Sequence, residues 1–194
     1  MKTIYDLLTT KEKQLTRKVS LTKDETLFYE NDVCHEVGIV IKGVISISSY
    51  SYKGEEMNYN TILEGGVFGN NLIFSSDPIY KGNVISKMKS EVILIAKDNL
   101  VSILMNNESF LKEYLKIQSN FGKVLNQKIK ILSFNTARDR LLFLLNNAGG
   151  SIKFRSVSSL AESLNLSREA TSRLISSLQK ENLLVREGNL IKLI

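Results

Sequence analysis

Residues 156 to 181, SVSSLAESLNLSREATSRLISSLQKE, leave the chain little freedom in how it folds there. Ser156 suits a helix N-cap, because its hydroxyl can accept from a backbone N–H that the first turn leaves without a partner. An apolar helical pattern follows at Leu160 and Leu164. Asn165 falls where a tight turn needs a left-handed backbone, which Asn tolerates better than any residue but Gly. Ser167 can cap a second helix, on which Ala170, Leu174 and Leu178 recur every four residues as a buried stripe. Arg168, Glu169, Ser172 and Arg173 project from its other side. Such a helix fits a DNA major groove, where Arg pairs with guanine and Glu accepts from cytosine. A merely solvated polar face explains the same residues without a partner, so this pattern alone leaves both readings open. The following residues tilt the balance. Leu183-Leu184-Val185, Arg186-Glu187-Gly188-Asn189 and Leu190 to Ile194 read as strand, turn and strand. Two helices and a terminal hairpin make a winged helix-turn-helix.

Charge is divided in the same sense. The net charge is +6, but residues 1 to 109 hold 12 Lys/Arg against 14 Asp/Glu, while residues 110 to 194 hold 14 against 6. A basic C-terminal half suggests a polyanion partner at one end only. No apolar run approaches a membrane span, and MKTIYDLLTTKEKQ has no signal-peptide core. Cys34 is the single cysteine, which excludes an internal disulfide and points to a reduced, cytoplasmic setting.

Upstream, residues 4 to 18 read as helical. From about residue 20 to 97 short β-rich runs replace them: Thr26 to Tyr29, Val37 to Ile41, Val44 to Ser49, Met57 to Leu63, Val84 to Ser86 and Glu91 to Ala96. Gly43, Lys53-Gly54, Gly65-Gly66, Gly69, Asp77-Pro78 and Gly82 punctuate them. Many short strands with no crossover helix predict a closed antiparallel structure, a jelly roll or barrel. Helical character restarts at 98 to 105. One long helix follows over about 108 to 132, roughly 37 Å at 1.5 Å per residue. Leu111, Tyr114, Leu115, Gln118, Phe121, Leu125, Ile129 and Leu132 form its single wide stripe. Dimerisation through that stripe is the functional reading; packing on its own β-domain is the other. Ser133 to Thr136 would be a hinge, with Asn135 capping a helix from Arg138 to Asn146. Ile152 to Arg155 would be a short strand. The expected fold class is α+β. Its parts are a β-domain over 1–107, a long helix and hinge over 108–134, and a winged helix-turn-helix over 135–194.

This order of parts resembles the Crp/Fnr superfamily, the cyclic-AMP-receptor-type bacterial transcription regulators, over nearly the whole chain. The most specific piece is Ser167-Arg168-Glu169-Ala170-Thr171-Ser172-Arg173, similar to the family's recognition-helix signature. Ile39 to Gly43 resembles a strand-turn element of its β-domain. Gly66-Val67-Phe68-Gly69 with Leu72-Ile73-Phe74 resembles its phosphate-cassette frame, and Arg140-Leu141-Leu142 the start of its first DNA-domain helix. The resemblance implies a homodimer on an inverted repeat of double-stranded DNA, with RNA polymerase as a further partner if the protein activates. It implies base reading by Arg168, Glu169 and Arg173, with Ser172 beside them. It implies phosphate contacts at Ser156, Ser167, Thr171 and Lys180.

The candidate effector pocket, Gly69, Asn70, Tyr80, Lys81 and Asn126, departs from the family pattern. Asn70 stands where cyclic-nucleotide binders carry a ribose-binding Glu, and Tyr80-Lys81 where they carry an Arg-Ser pair for the phosphate. Leu125-Asn126 replaces the hydroxyl pair that meets the purine. Cyclic AMP is therefore not the expected ligand, and no cofactor is expected. One cysteine is too few for an iron–sulfur site. Cys34-His35, the only Cys beside the only His, reads as an ordinary loop rather than a haem or metal site, because adjacent loop residues cannot easily face one ion. No P-loop, zinc spacing or nucleophile elbow suggests an enzyme. A ligand-binding module whose helix-turn-helix reads no DNA remains the alternative from a different class.

Overall fold

The computed structural model describes residues 3–50, 52, 54 and 56–194, so Lys53 of the expected Lys53-Gly54 turn lies outside the described residues. A 3-10 turn at Ile4–Leu7 precedes α1 (Thr10–Lys13). Eight strands follow: β1 (Thr16–Leu21), β2 (Thr26–Phe28), β3 (Glu36–Lys42), β4 (Val44–Tyr50), β5 (Glu56–Leu63), β6 (Val67–Phe68), β7 (Asn83–Ser86) and β8 (Ser90–Ala96). Then come α2 (Lys97–Asn106), α3 (Glu108–Leu132), α4 (Ala137–Asn147), β9 (Ser151–Lys153), α5 (Val157–Leu164), α6 (Arg168–Lys180), β10 (Leu184–Glu187) and β11 (Leu190–Leu193). The chain divides within α3 into two compact units, residues 1–120 and 121–194.

The first unit is a β-roll of two four-stranded antiparallel sheets, ordered β1-β8-β3-β6 and β2-β7-β4-β5. In β8 every residue from Val92 to Ile95 is buried, the signature of a strand covered on both faces. Ile45, Ile62 and Val84 of the other sheet join them in one core, with Ile4, Leu8, Leu100, Ile103, Phe110 and Tyr114 from the helical segments. The roll closes tightly at Gly38, where an added Cβ would lie 2.0 Å from the buried Phe68 ring.

The N-terminal helix expected over residues 4 to 18 is not continuous. Thr9 and Glu12 form a reciprocal capping box that starts α1 afresh, and the chain leaves it at Gln14 for β1. Strand β1 escapes sequence reading because it is an edge strand, with only Val19 and Leu21 turned inward. Its Arg17 and Lys18 pair with Glu36 and Glu91, each at 2.6 Å, and such charges blunt an exposed edge.

The second unit has its own core: Leu141, Leu145, Phe154, Leu160, Leu164, Ile175, Leu178, Leu184 and Ile191. Helix α4 is capped by Thr136, whose hydroxyl accepts from the Asp139 N–H; Asn135 is not the cap. The helix ends at Gly149 and Gly150, both at positive φ, which only glycine adopts freely. The expected strand at 152 to 155 is the shorter β9, and the three C-terminal strands form one antiparallel sheet, β10-β11-β9.

Gly38→Ala should destabilise the roll by about 1–3 kcal/mol, because Phe68 is buried and cannot swing away. Denaturant unfolding of the variant beside the wild type measures the loss.

Candidate functional site

Helices α5 and α6 are joined through a single left-handed residue, Asn165, at φ 52° and ψ 53°. The Ser156 hydroxyl accepts from the Ser159 N–H and starts α5; the Ser167 hydroxyl accepts from the Ala170 N–H and starts α6, each at 3.1 Å. The buried face of α6 is Thr171, Ile175 and Leu178, rotated from the expected Ala170-Leu174-Leu178 stripe, whose first two members are only half-buried. The rotation does not disturb the opposite face. Arg168, Glu169, Ser172 and Arg173 are all exposed on the first turns, and none forms an ion pair among the described residues.

Of the four residues given phosphate contacts, Ser156, Ser167 and Lys180 are exposed. Thr171 is fully buried, and its hydroxyl donates to the Ser167 carbonyl at 3.0 Å. It packs the helix and has no surface to offer a phosphate. Position in the signature suggested the contact, but the angle at which α6 meets its core removes it.

Helix α3 divides the single stripe read from its sequence. Phe110, Tyr114 and Ile117 pack into the roll core. Leu111, Leu115, Gln118, Gly122, Leu125, Ile129 and Leu132 run along a second face at alternating spacings of four and three. On that face Leu115 is 54% exposed, Leu125 47% and Ile129 57%. Tyr114 therefore belongs to the roll, not to the exposed seam; Phe121 is half-buried.

Gln118 lies at the border of the two faces. Its Nε2 donates to the Asn70 carbonyl at 2.6 Å, and Asn70 Nδ2 donates back to Gln118 Oε1 at 2.6 Å. The Tyr114 hydroxyl donates to the same carbonyl at 3.4 Å, and burial holds that phenol's pKa up at about 12. Behind Asn70, Tyr80 is buried and stacked on Phe28 with ring centroids 5.1 Å apart. Its hydroxyl and the Cys34 sulfur lie 3.4 Å apart. Burial raises the pKa of both groups. Gly69 is at positive φ, and a Cβ added there would lie 2.9 Å from the Glu36 carbonyl oxygen and 3.2 Å from Cys34 and Tyr80. Lys81 points outward to Asp77, 3.2 Å away, and both side chains are exposed. Asn126 is exposed on the second unit's part of α3.

Residues 18–107 match the cyclic nucleotide-binding domain family. Over its length the chain superposes on a CooA mutant from Carboxydothermus hydrogenoformans with TM-score 0.69, at 18% identity, covering 95% of this chain and 86% of that one. The Thermus thermophilus catabolite activator protein matches with TM-score 0.58, at 17% identity, over 98% of this chain and 93% of that one. In sequence, the chain is 22% identical over 192 residues to the anaerobic regulatory protein of Bacillus subtilis, 93% of this chain and 79% of that protein. The chain shares the fold of these solved structures.

The cyclic nucleotide that the domain family implies does not fit this roll. The Asn70 amide is already bonded to Gln118. Tyr80 is a core aromatic, and Lys81 turns its ammonium to the surface. Neither position therefore offers the interior a cation for a cyclic phosphate. Of the five candidate pocket residues, the roll brings Gly69 and Tyr80 together with Cys34 as packed interior, and leaves Lys81 outside. The His35 neighbour of Cys34 is exposed while the thiol is buried, so the pair does not face a common ion. Among the described residues no group of three or more His, Cys, Asp or Glu could hold a metal. No helix among them is long and apolar enough to cross a membrane.

A thiol whose pKa is raised by burial is mostly protonated at pH 8 and poorly nucleophilic. Cys34 should react with iodoacetamide far more slowly in the native protein than in urea, and the native rate should go on rising with pH beyond the point where a free thiol's rate levels off. Mass spectrometry of time points measures both.

Proposed function

We propose that this protein is a homodimeric, sequence-specific DNA-binding transcription regulator, with α5 and α6 acting as a helix-turn-helix and β10–β11 as its wing. The observation that carries this reading is the exposed Arg168–Glu169–Arg173 face on the first turns of α6, a helix anchored by its opposite face to a separate core. The N-terminal turns of such a helix reach base edges in a major groove. There the two arginines have the bidentate fork that guanine O6 and N7 require, and Glu169 accepts from cytosine N4. Residues 121 to 194 hold 12 Lys/Arg against 5 Asp/Glu, which suits a phosphate backbone. Ser156, Ser167 and Lys180 are the phosphate contacts of this proposal.

The exposed α3 seam is the dimer surface in this reading. Its four-three spacing is that of a two-stranded coiled coil, and exposed Leu and Ile along it are what a second copy covers. Two copies place two α6 helices about one DNA turn, roughly 34 Å, apart on an inverted repeat. Such a protein works in the cytoplasm, and RNA polymerase is its partner where it activates. The relatives suit this assignment: the Bacillus subtilis protein is an anaerobic regulatory protein, and CooA is a CO-dependent transcription factor. Cyclic AMP is not the expected effector in this reading, because Tyr80 is a core aromatic and Lys81 faces Asp77 at the surface. The roll works either with a different small molecule or with none.

Duplexes selected from a random pool by the purified protein should converge on an inverted repeat. Arg168→Ala and Arg173→Ala should each lose about 1–3 kcal/mol of discrimination at one position per half-site. Binding should weaken with salt at a log–log slope near −0.9 per phosphate neutralised. Selection that returns no motif, or variants that keep full discrimination, refutes base reading by this helix.

Ile129→Glu should convert the dimer to a monomer, because it sets like charges against each other across an apolar seam. Analytical ultracentrifugation and binding to the selected duplex, measured together, test this. A variant that stays dimeric locates the interface elsewhere.

A further inference from the structure

Helix α4 carries two arginines that fasten the two ends of α6's surroundings. At one end Arg138 pairs with Glu181 at 2.5 Å, just past the last residue of α6. At the other, Arg140 Nη1 donates to the Leu164 carbonyl and Nε donates to the Phe134 carbonyl, each at 3.2 Å. Leu164 is the last residue of α5 and immediately precedes Asn165, whose left-handed backbone aims the chain into α6. Phe134 lies in the connector between α3 and α4, where its ring sits against Phe143 with centroids 5.0 Å apart. Carbonyls at or just beyond a helix C-terminus have no donor within the helix and sit at the negative end of its dipole. Arg140 supplies donors and positive charge to two of them with one planar group. No carboxylate pairs with it among the described residues. Its flat fork spans two fixed backbone oxygens in a way the single-point ammonium of Lys cannot.

We propose that Arg140 is the positioning residue that holds the α5–α6 turn in register with the connector, so that the two move as one piece. The proposal rests on the DNA-reading assignment for its consequence, but not for its geometry. Phosphate contacts are spread over a surface and tolerate small rotations; base contacts do not. Loosening the turn should therefore cost specific binding and leave non-specific binding intact. Sequence reading singled out Arg140 only as part of a helix start. Its two partners are main-chain oxygens 6 and 24 residues away, which leave no trace in side-chain spacing.

The test compares Arg140→Lys and Arg140→Gln with the wild-type dimer on the duplex selected by the wild-type protein and on an unrelated duplex. Affinity for the selected duplex should fall roughly five- to hundred-fold, the scale of one lost base contact. Affinity for the unrelated duplex and its salt slope should not change for Arg140→Lys, which keeps the charge. Amide hydrogen exchange, followed without DNA, should speed up at residues 165 to 170 in both variants and stay unchanged in α3. Unchanged exchange in that segment overturns the proposal whatever the DNA result. Equal loss on both duplexes with a lowered melting temperature also overturns it, and assigns Arg140 a bulk packing role. A wild-type protein that prefers no duplex refutes base reading alone, and the exchange experiment then still decides the role of Arg140.

Discussion

Helix α3 carries more apolar surface than the roll can bury. Residues 110, 114 and 117 recur on the face that completes the roll core, while 115, 125, 129 and 132 recur on a face left in water. A helix that is apolar on two faces must find two partners, or hold leucines and isoleucines exposed at a cost that scales with their area. The roll is one partner. In the proposed dimer a second copy covers the seam left over, and the proposed spacing of the two α6 helices on DNA follows from that dimer. The proposed dimer depends on this unequal sharing of one helix.

Helix α3 meets the roll at a polar cluster. Asn70, Gln118 and Tyr114 exchange hydrogen bonds there, and all three side chains are wholly or partly withdrawn from water. A buried amide must be matched or it destabilises the fold. Here the matching comes from the protein's own helix. Asn70 lies second in the loop that follows β6. It is bonded internally, and the next polar positions along the chain face the core or the surface.

Much of the architecture was legible from residue order. Glycine and Pro punctuation marked six of the roll's eight strands, and the caps Ser156 and Ser167 and the turn residue Asn165 are where their chemistry placed them. What escaped was set by partners distant in the chain. Strand β1 looks like the end of a helix because the adjacent charges Arg17 and Lys18 interrupt its alternation; its pairing with β8 makes it a strand. Strand β6 is two residues long and exists because β3 lies beside it. The α6 stripe was read one residue out of phase, since a period of four drifts from the true helical repeat. That shift carried Thr171 from the surface to the core.

Taken alone, the amino-acid order determined local features: where α5 and α6 start, which turn needs a left-handed residue, which residue types line the outer face of α6, and how charge divides between the halves. These depend on neighbours within a few positions, whose physics is contained in the chain itself. Tertiary structure decided which of two apolar faces of α3 is left open, that Tyr80 is a core aromatic and Lys81 a surface cation, and that Arg140 joins two carbonyls far apart in the chain. Such outcomes depend on the direction in which a side chain leaves a packed backbone. That direction is settled only when distant segments compete for the same volume.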